Sequence, residues 1–133
     1  MGESLNHVRL VKAIIERVSS LDPQAVILAD TSIYAAKDRP PKIGGHVPDV
    51  YARIDMLRQT IIGEAKTGKD LENEHTMSQL RAYLSHCSTN PGTRLVLAVP
   101  WDMRSFVHNL LNRLKTQMML PKESVEILHC FIS

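Results

Sequence analysis

The chain has 133 residues, 44% of them hydrophobic and 23% charged, the size and composition of one ordinary globular domain spanning 1–133, which excludes wholesale disorder and low-complexity architectures. Lys and Arg number 16 against 14 Asp and Glu, a formal charge of +2 that is too balanced to mark a nucleic-acid binder by bulk electrostatics alone. Cys87 and Cys130 are the two cysteines, with no CxxC pair; this argues against a disulfide scaffold or zinc ladder and predicts buried, reduced thiols in a cytoplasmic protein.

No apolar run approaches the ~20 residues of a membrane span, and the start, Met1-Gly2-Glu3-Ser4, lacks the basic and apolar stretches of a secretory signal. Over 8–21 the apolar residues Val8, Val11, Ile14, Ile15, Val18 and Leu21 follow the spacing of an amphipathic helix. Asp22-Pro23 ends it. Residues 25–29, Ala-Val-Ile-Leu-Ala, predict a buried strand. A proline- and glycine-rich loop over 35–48 carries Lys37, Arg39 and Lys42; loops of this length inside a domain tend to be functional.

Residues 50–54 and 60–66 predict two strands of a hairpin, with a tight turn at 56–59. Gly68-Lys69-Asp70 offers a turn and an N-cap for a helix over 71–86. Residues 95–99, Leu-Val-Leu-Ala-Val, predict a central strand ended by Pro100. A helix over 105–119 follows, with Asp102 as its N-cap, Trp101 packed, and Met118-Met119 as core filler. A last strand covers 125–132. The order predicts an α/β domain: a mixed central sheet with helices on both faces, its hairpin antiparallel and its final strand–helix–strand unit parallel.

Polar groups stand out at Pro48-Asp49 and at Glu64-Ala65-Lys66. Side chains two apart on a strand share a face, so Glu64 and Lys66 project together with Ile62, while Gly63 and Ala65 face the other way. Hairpin pairing brings Asp49 beside them. Two carboxylates and one ammonium on a patch repel unless a carboxyl protonates or a cation intervenes, and Mg²⁺ prefers such hard oxygen ligands. The plainer alternatives are a turn role for Asp49 and a solvated Glu64–Lys66 pair, although Ile61 and Ile62 predict a buried strand where unpaired charges are costly.

Pro48-Asp49, then Glu64-Ala65-Lys66 after a hairpin-length gap, resembles the PD-(D/E)XK phosphodiesterase superfamily. Gln79 and Tyr83 on the next helix form a Q-x-x-x-Y pattern similar to RecB-type nucleases, and His75 continues their stripe. The resemblance covers about 3–84. It implies a restriction-endonuclease-like αβββαβ core, here with an extra helix and strand. It also implies hydrolysis of DNA phosphodiesters with Mg²⁺ or Mn²⁺ held by Asp49, Glu64 and the Ala65 carbonyl. Lys66 then serves the attacking water, while Gln79 and Tyr83 position the strand. His7, at the margin of the first helix's apolar face, matches a histidine found there in RecB-like enzymes, with Glu3 and Glu16 as alternatives. Taken singly, Gln79 reads as a surface glutamine and Tyr83 as half-buried with its hydroxyl in water. RNA stays open as a substrate, and a domain this small predicts a homodimer or a subunit of a larger complex. The rival function is a weak or inactive nuclease-fold module within a restriction or repair assembly.

Overall fold

A computed structural model describes residues 4–31, 39–120 and 124–131. The elements run α1 (Leu5–Leu21), β1 (Val26–Ala29), β2 (Val50–Ile54), β3 (Gln59–Ala65), α2 (Glu74–Thr89), β4 (Thr93–Pro100), α3 (Arg104–Met118) and β5 (Val125–Cys130). The five strands form one sheet in chain order. β1, β2 and β3 pair antiparallel, and β3, β4 and β5 pair parallel, the mixed α/β architecture expected from the hydropathy pattern.

Each face of the sheet has its own core. Leu10, Val11, Ile14 and Val18 of α1 pack on Val50, Ala52, Ile54, Ile61, Ala65, Val96 and Ala98. On the other face α2 and α3 cover Ile62, Leu95, Leu97 and Val99 with Leu80, Tyr83, Leu84, Val107, Leu110, Leu111 and Leu114. β4 is buried on both faces, which is why it reads as a continuous apolar run. Gly63 lets α1 approach closely: a Cβ there would lie 2.7 Å from Ile14 Cγ2 and 2.9 Å from Val50 Cβ.

Several local expectations change. α2 begins at Glu74 because Asn73, not Asp70, is its cap and accepts from the Thr76 N–H at 2.8 Å. Asp70 instead accepts from the Thr67 hydroxyl in the preceding turn. Asp102 lies in a 3-10 turn (Trp101–Met103) and caps nothing; Met103 holds the α3 N-cap position without a side-chain bond. Met119 ends α3 in the left-handed region (φ 56) and is 92% exposed, so it is no core filler. Trp101 is 48% exposed. Cys87 is buried and Cys130 half-buried, and both are free thiols; burial pushes the Cys87 thiol up to about 11. No helix among the described residues is long and apolar enough to cross a membrane.

Candidate functional site

The parallel strands β3, β4 and β5 end at one edge of the sheet, and antiparallel β2 begins there. Asp49, directly before β2, and Glu64 and Lys66, at the end of β3, therefore meet by register, since Val50 pairs with Gly63. The Asp49 N–H donates to Glu64 Oε1 at 3.3 Å, and the Ala65 N–H donates to Asp49 Oδ2 at 2.8 Å. Lys66 Nζ lies 3.3 Å from Glu64 Oε2.

α2 supplies the wall. Gln79 Oε1 accepts from Lys66 Nζ, and the Tyr83 hydroxyl donates to Glu64 Oε1 at 3.4 Å. Gln79 is 7% exposed and Tyr83 fully buried, against the surface glutamine and half-wet tyrosine expected of them singly. Both point inward and fix the charged pair. Thr76, Gln79, Leu80, Tyr83, Leu84 and Cys87 form the buried stripe of α2, so the helix carries a polar–apolar face matched to a polar–apolar strand.

α1 supplies the other side. Ser4 caps the helix by accepting from the His7 N–H at 3.1 Å, which sets the first turn so that His7 Nε2 lies 3.3 Å from Asp49 Oδ2. Glu16 is exposed and pairs with Lys12 at 3.9 Å, away from the site. Glu3 lies outside the described residues, as does Lys37.

Electrostatically the cluster is short of positive charge. Glu64 is 3% exposed, and its carboxyl is pushed up to about 8, first by burial and then by repulsion from Asp49, against the pull of Lys66. Burial and the same two carboxylates also raise the Tyr83 phenol, which stays a hydrogen-bond donor at any physiological pH. Among the described residues no buried side-chain nitrogen or oxygen lacks a partner. No group of three or more His, Cys, Asp or Glu among them is gathered as a metal-ligating cluster.

One neighbour escaped the sequence pattern. Gly44 (φ +59) sits so near α2 that a Cβ would be 2.6 Å from Ala82 Cβ, and this contact docks the 39–48 segment on α2. His46 thereby meets the Ser78 hydroxyl at 3.0 Å, with its ring centroid 5.5 Å from that of His75 and 6.4 Å from that of Tyr83. The Gly44-Gly45 pair was the available signal. A concavity of about 490 Å³ opens at the opposite end of the sheet beside Gly92 and Arg94, and its lining contains no carboxylate. Comparison with protein-family models, with curated proteins and with solved structures returns no match, which leaves the geometry of this cluster to carry its function.

Proposed function

We propose that the protein is a metal-dependent nuclease of the PD-(D/E)XK kind, with a restriction-endonuclease-like core, that hydrolyses phosphodiester bonds of DNA. The observation that carries this is the convergence of Asp49, Glu64 and Lys66 at one sheet edge, braced by His7, Gln79 and Tyr83. A Glu64 carboxyl raised first by burial and then by repulsion from Asp49 is a site in want of a cation. Asp49, Glu64 and the Ala65 main-chain carbonyl would hold Mg²⁺ or Mn²⁺, a hard-oxygen set that suits ions taking one or two protein carboxylates and completing their shell with water and phosphate. When bound, such an ion neutralises charge on the phosphoryl oxygens and lowers the pKa of water.

The protein's own groups do the rest. Lys66 orients the attacking water and donates to the negative charge that develops as the water oxygen bonds to phosphorus and the ester P–O bond breaks. Gln79 holds the Lys66 ammonium and Tyr83 holds Glu64, so both are positioning residues. His7 steadies Asp49. A cytoplasmic protein acting on DNA, with RNA as the second substrate to assay, and working as a homodimer or a subunit of a complex, fits this activity.

A second proposal, an inactive nuclease-fold module of a restriction or repair assembly, is favoured by one feature. Asp49 Oδ2 is already engaged by Ala65 and His7. Incubation of the purified chain with single- and double-stranded DNA and RNA, with Mg²⁺, Mn²⁺ or EDTA, separates the two. Metal-dependent strand cleavage with a calorimetric metal-binding signal is the expected result. Metal binding without cleavage removes the activity and keeps the ligand roles of Asp49 and Glu64, whereas the absence of both signals overturns the nuclease reading and selects the inactive module.

A further inference from the structure

Two large aromatic side chains stand in the open at the edge that carries the candidate site. Trp101, which follows β4, is 48% exposed, and Phe131, which follows β5, is 88% exposed. Their rings stack on each other, centroids 5.9 Å apart and planes inclined by 30°. Burial would have been favourable for both, and a pair of exposed stacked rings is a surface suited to a flat partner.

The surroundings bring together one guanidinium and two imidazoles. His129, near the end of β5, lies two residues before Phe131, and its ring centroid is 5.4 Å from that of His108 on α3. Burial, then His108 and then Arg104, hold the His129 imidazole below its ordinary value, which shows Arg104 to lie within electrostatic reach. Asp102 is the acid nearest the rings in sequence, and Arg104 opens α3 beside the turn that holds Trp101.

The patch adjoins the candidate site. The Lys66 N–H donates to the Ala98 carbonyl of β4 at 3.0 Å, and a Cβ on Gly68 would lie 3.6 Å from the sulfur of Met103, in the turn that holds Trp101. Trp101 follows the strand next to that of Lys66 and Phe131 follows the one beyond it, so the rings border the site at the same end of the sheet.

We propose that the Trp101–Phe131 stack, flanked by Arg104, His108 and His129, is a platform on which unpaired bases of a single nucleic-acid strand stack while its backbone runs on toward Lys66. The faces of paired bases are covered by their neighbours in a duplex, so exposed rings favour an unpaired strand; aromatic stacking beside cations is how sequence-tolerant single-strand sites gain affinity. This rests on the nucleic-acid reading above and deepens it to single-stranded or locally opened substrate.

The test uses the full chain in EDTA, where nothing is cut. Trp101 is the only tryptophan, so its emission reports directly on the platform. A short oligothymidylate is expected to quench it, and a duplex of equal length much less. Fluorescence anisotropy of a labelled oligothymidylate is expected to show ~10-fold weaker binding for Trp101→Ser and for Phe131→Ser. Met56→Ser, which removes a side chain 86% exposed at the opposite end, is expected to bind as the parent does. Unchanged affinity in both aromatic variants, or emission indifferent to the oligonucleotide, overturns the proposal. Emission and sedimentation that change with protein concentration but not with oligonucleotide overturn it in favour of self-association through this face. Cleavage without quenching removes the platform alone; quenching without cleavage removes the nuclease assignment and leaves the platform standing.

Discussion

Two charged clusters sit on opposite faces of the sheet and are composed in opposite ways. On the α1 face Glu126 of β5 accepts from Arg17 Nε and Nη2, both at 2.9 Å, and from Arg94 Nη2 at 3.4 Å. One carboxylate has two guanidinium partners at the margin of solvent, and its pKa is lowered, above all by the Arg17 hydrogen bonds. On the α2 face Glu64, out of water, has one Lys partner and a second carboxylate, Asp49, beside it, and its pKa is raised. The chemical groups are nearly the same. Stoichiometry and burial decide that the first cluster is a satisfied tie between α1 and β5, and that the second stores unfavourable charge, which a fold tolerates chiefly where it is used.

Removing the cation from each cluster gives the sharpest contrast. Lys66→Ala is expected to lower metal-dependent cleavage by ~10³-fold or more, with circular dichroism unchanged; Arg17→Ala is expected to leave cleavage as it was and lower the urea midpoint. Equal losses of activity in the two variants would erase the distinction. Making the acid neutral gives the next largest effect. Glu64→Gln keeps the shape and its acceptor oxygen while removing the charge, so it is expected to abolish cleavage yet stabilise the metal-free protein at pH 8–9 by about 1–3 kcal/mol. The sign follows from linkage: a folded-state pKa of about 8 lies above the unfolded value near 4.5, so the parent's stability from this group is complete below that value and is lost as pH rises through about 8. The advantage of the variant therefore shrinks toward pH 5. Urea denaturation across that range in EDTA measures it, and a variant less stable at every pH would contradict the charge imbalance.

Much of this contrast was legible in the chain. Period-two alternation put Glu64 and Lys66 on the side of Ile62, and the hairpin register brought Asp49 to them, because strand geometry leaves little freedom once pairing is fixed. Helix orientation was harder. Thr76 and Gln79 belong to the same stripe as Leu80, Tyr83, Leu84 and Cys87, yet a polar side chain does not read as buried until its partner is known: Lys66 lies 13 residues from Gln79, and Glu64 lies 19 residues from Tyr83. The docking of the 39–48 segment was hidden for a different reason: Gly44 was visible, but Ala82, the surface it fits, was not. Trp101 was read as packed on its type alone, and an aromatic at a strand end has no periodicity to say otherwise. The acid-rescuing tie of Glu126 escaped too, since Arg17 lies 109 residues away and no local pattern links them.

That tie supplies the smallest effect and the opposite pH sign. Because the folded-state pKa of Glu126 is lowered, its contribution is present above the unfolded value near 4.5 and is lost as pH falls through the folded value. The pair is part-exposed, with side chains 37% and 23% accessible for Arg17 and Glu126, so screening by solvent limits it to about 1 kcal/mol. Glu126→Gln is expected to lower the unfolding free energy measured by urea at pH 7 by that amount and to match the parent only at a pH low enough to protonate Glu126 in the folded state. High salt is expected to narrow the gap at pH 7, whereas the Glu64→Gln difference, arising out of reach of mobile ions, is expected to survive it. A salt response shared by both variants would mean that the α2-face cluster is wetter than its burial implies, and the two clusters would then differ only in stoichiometry.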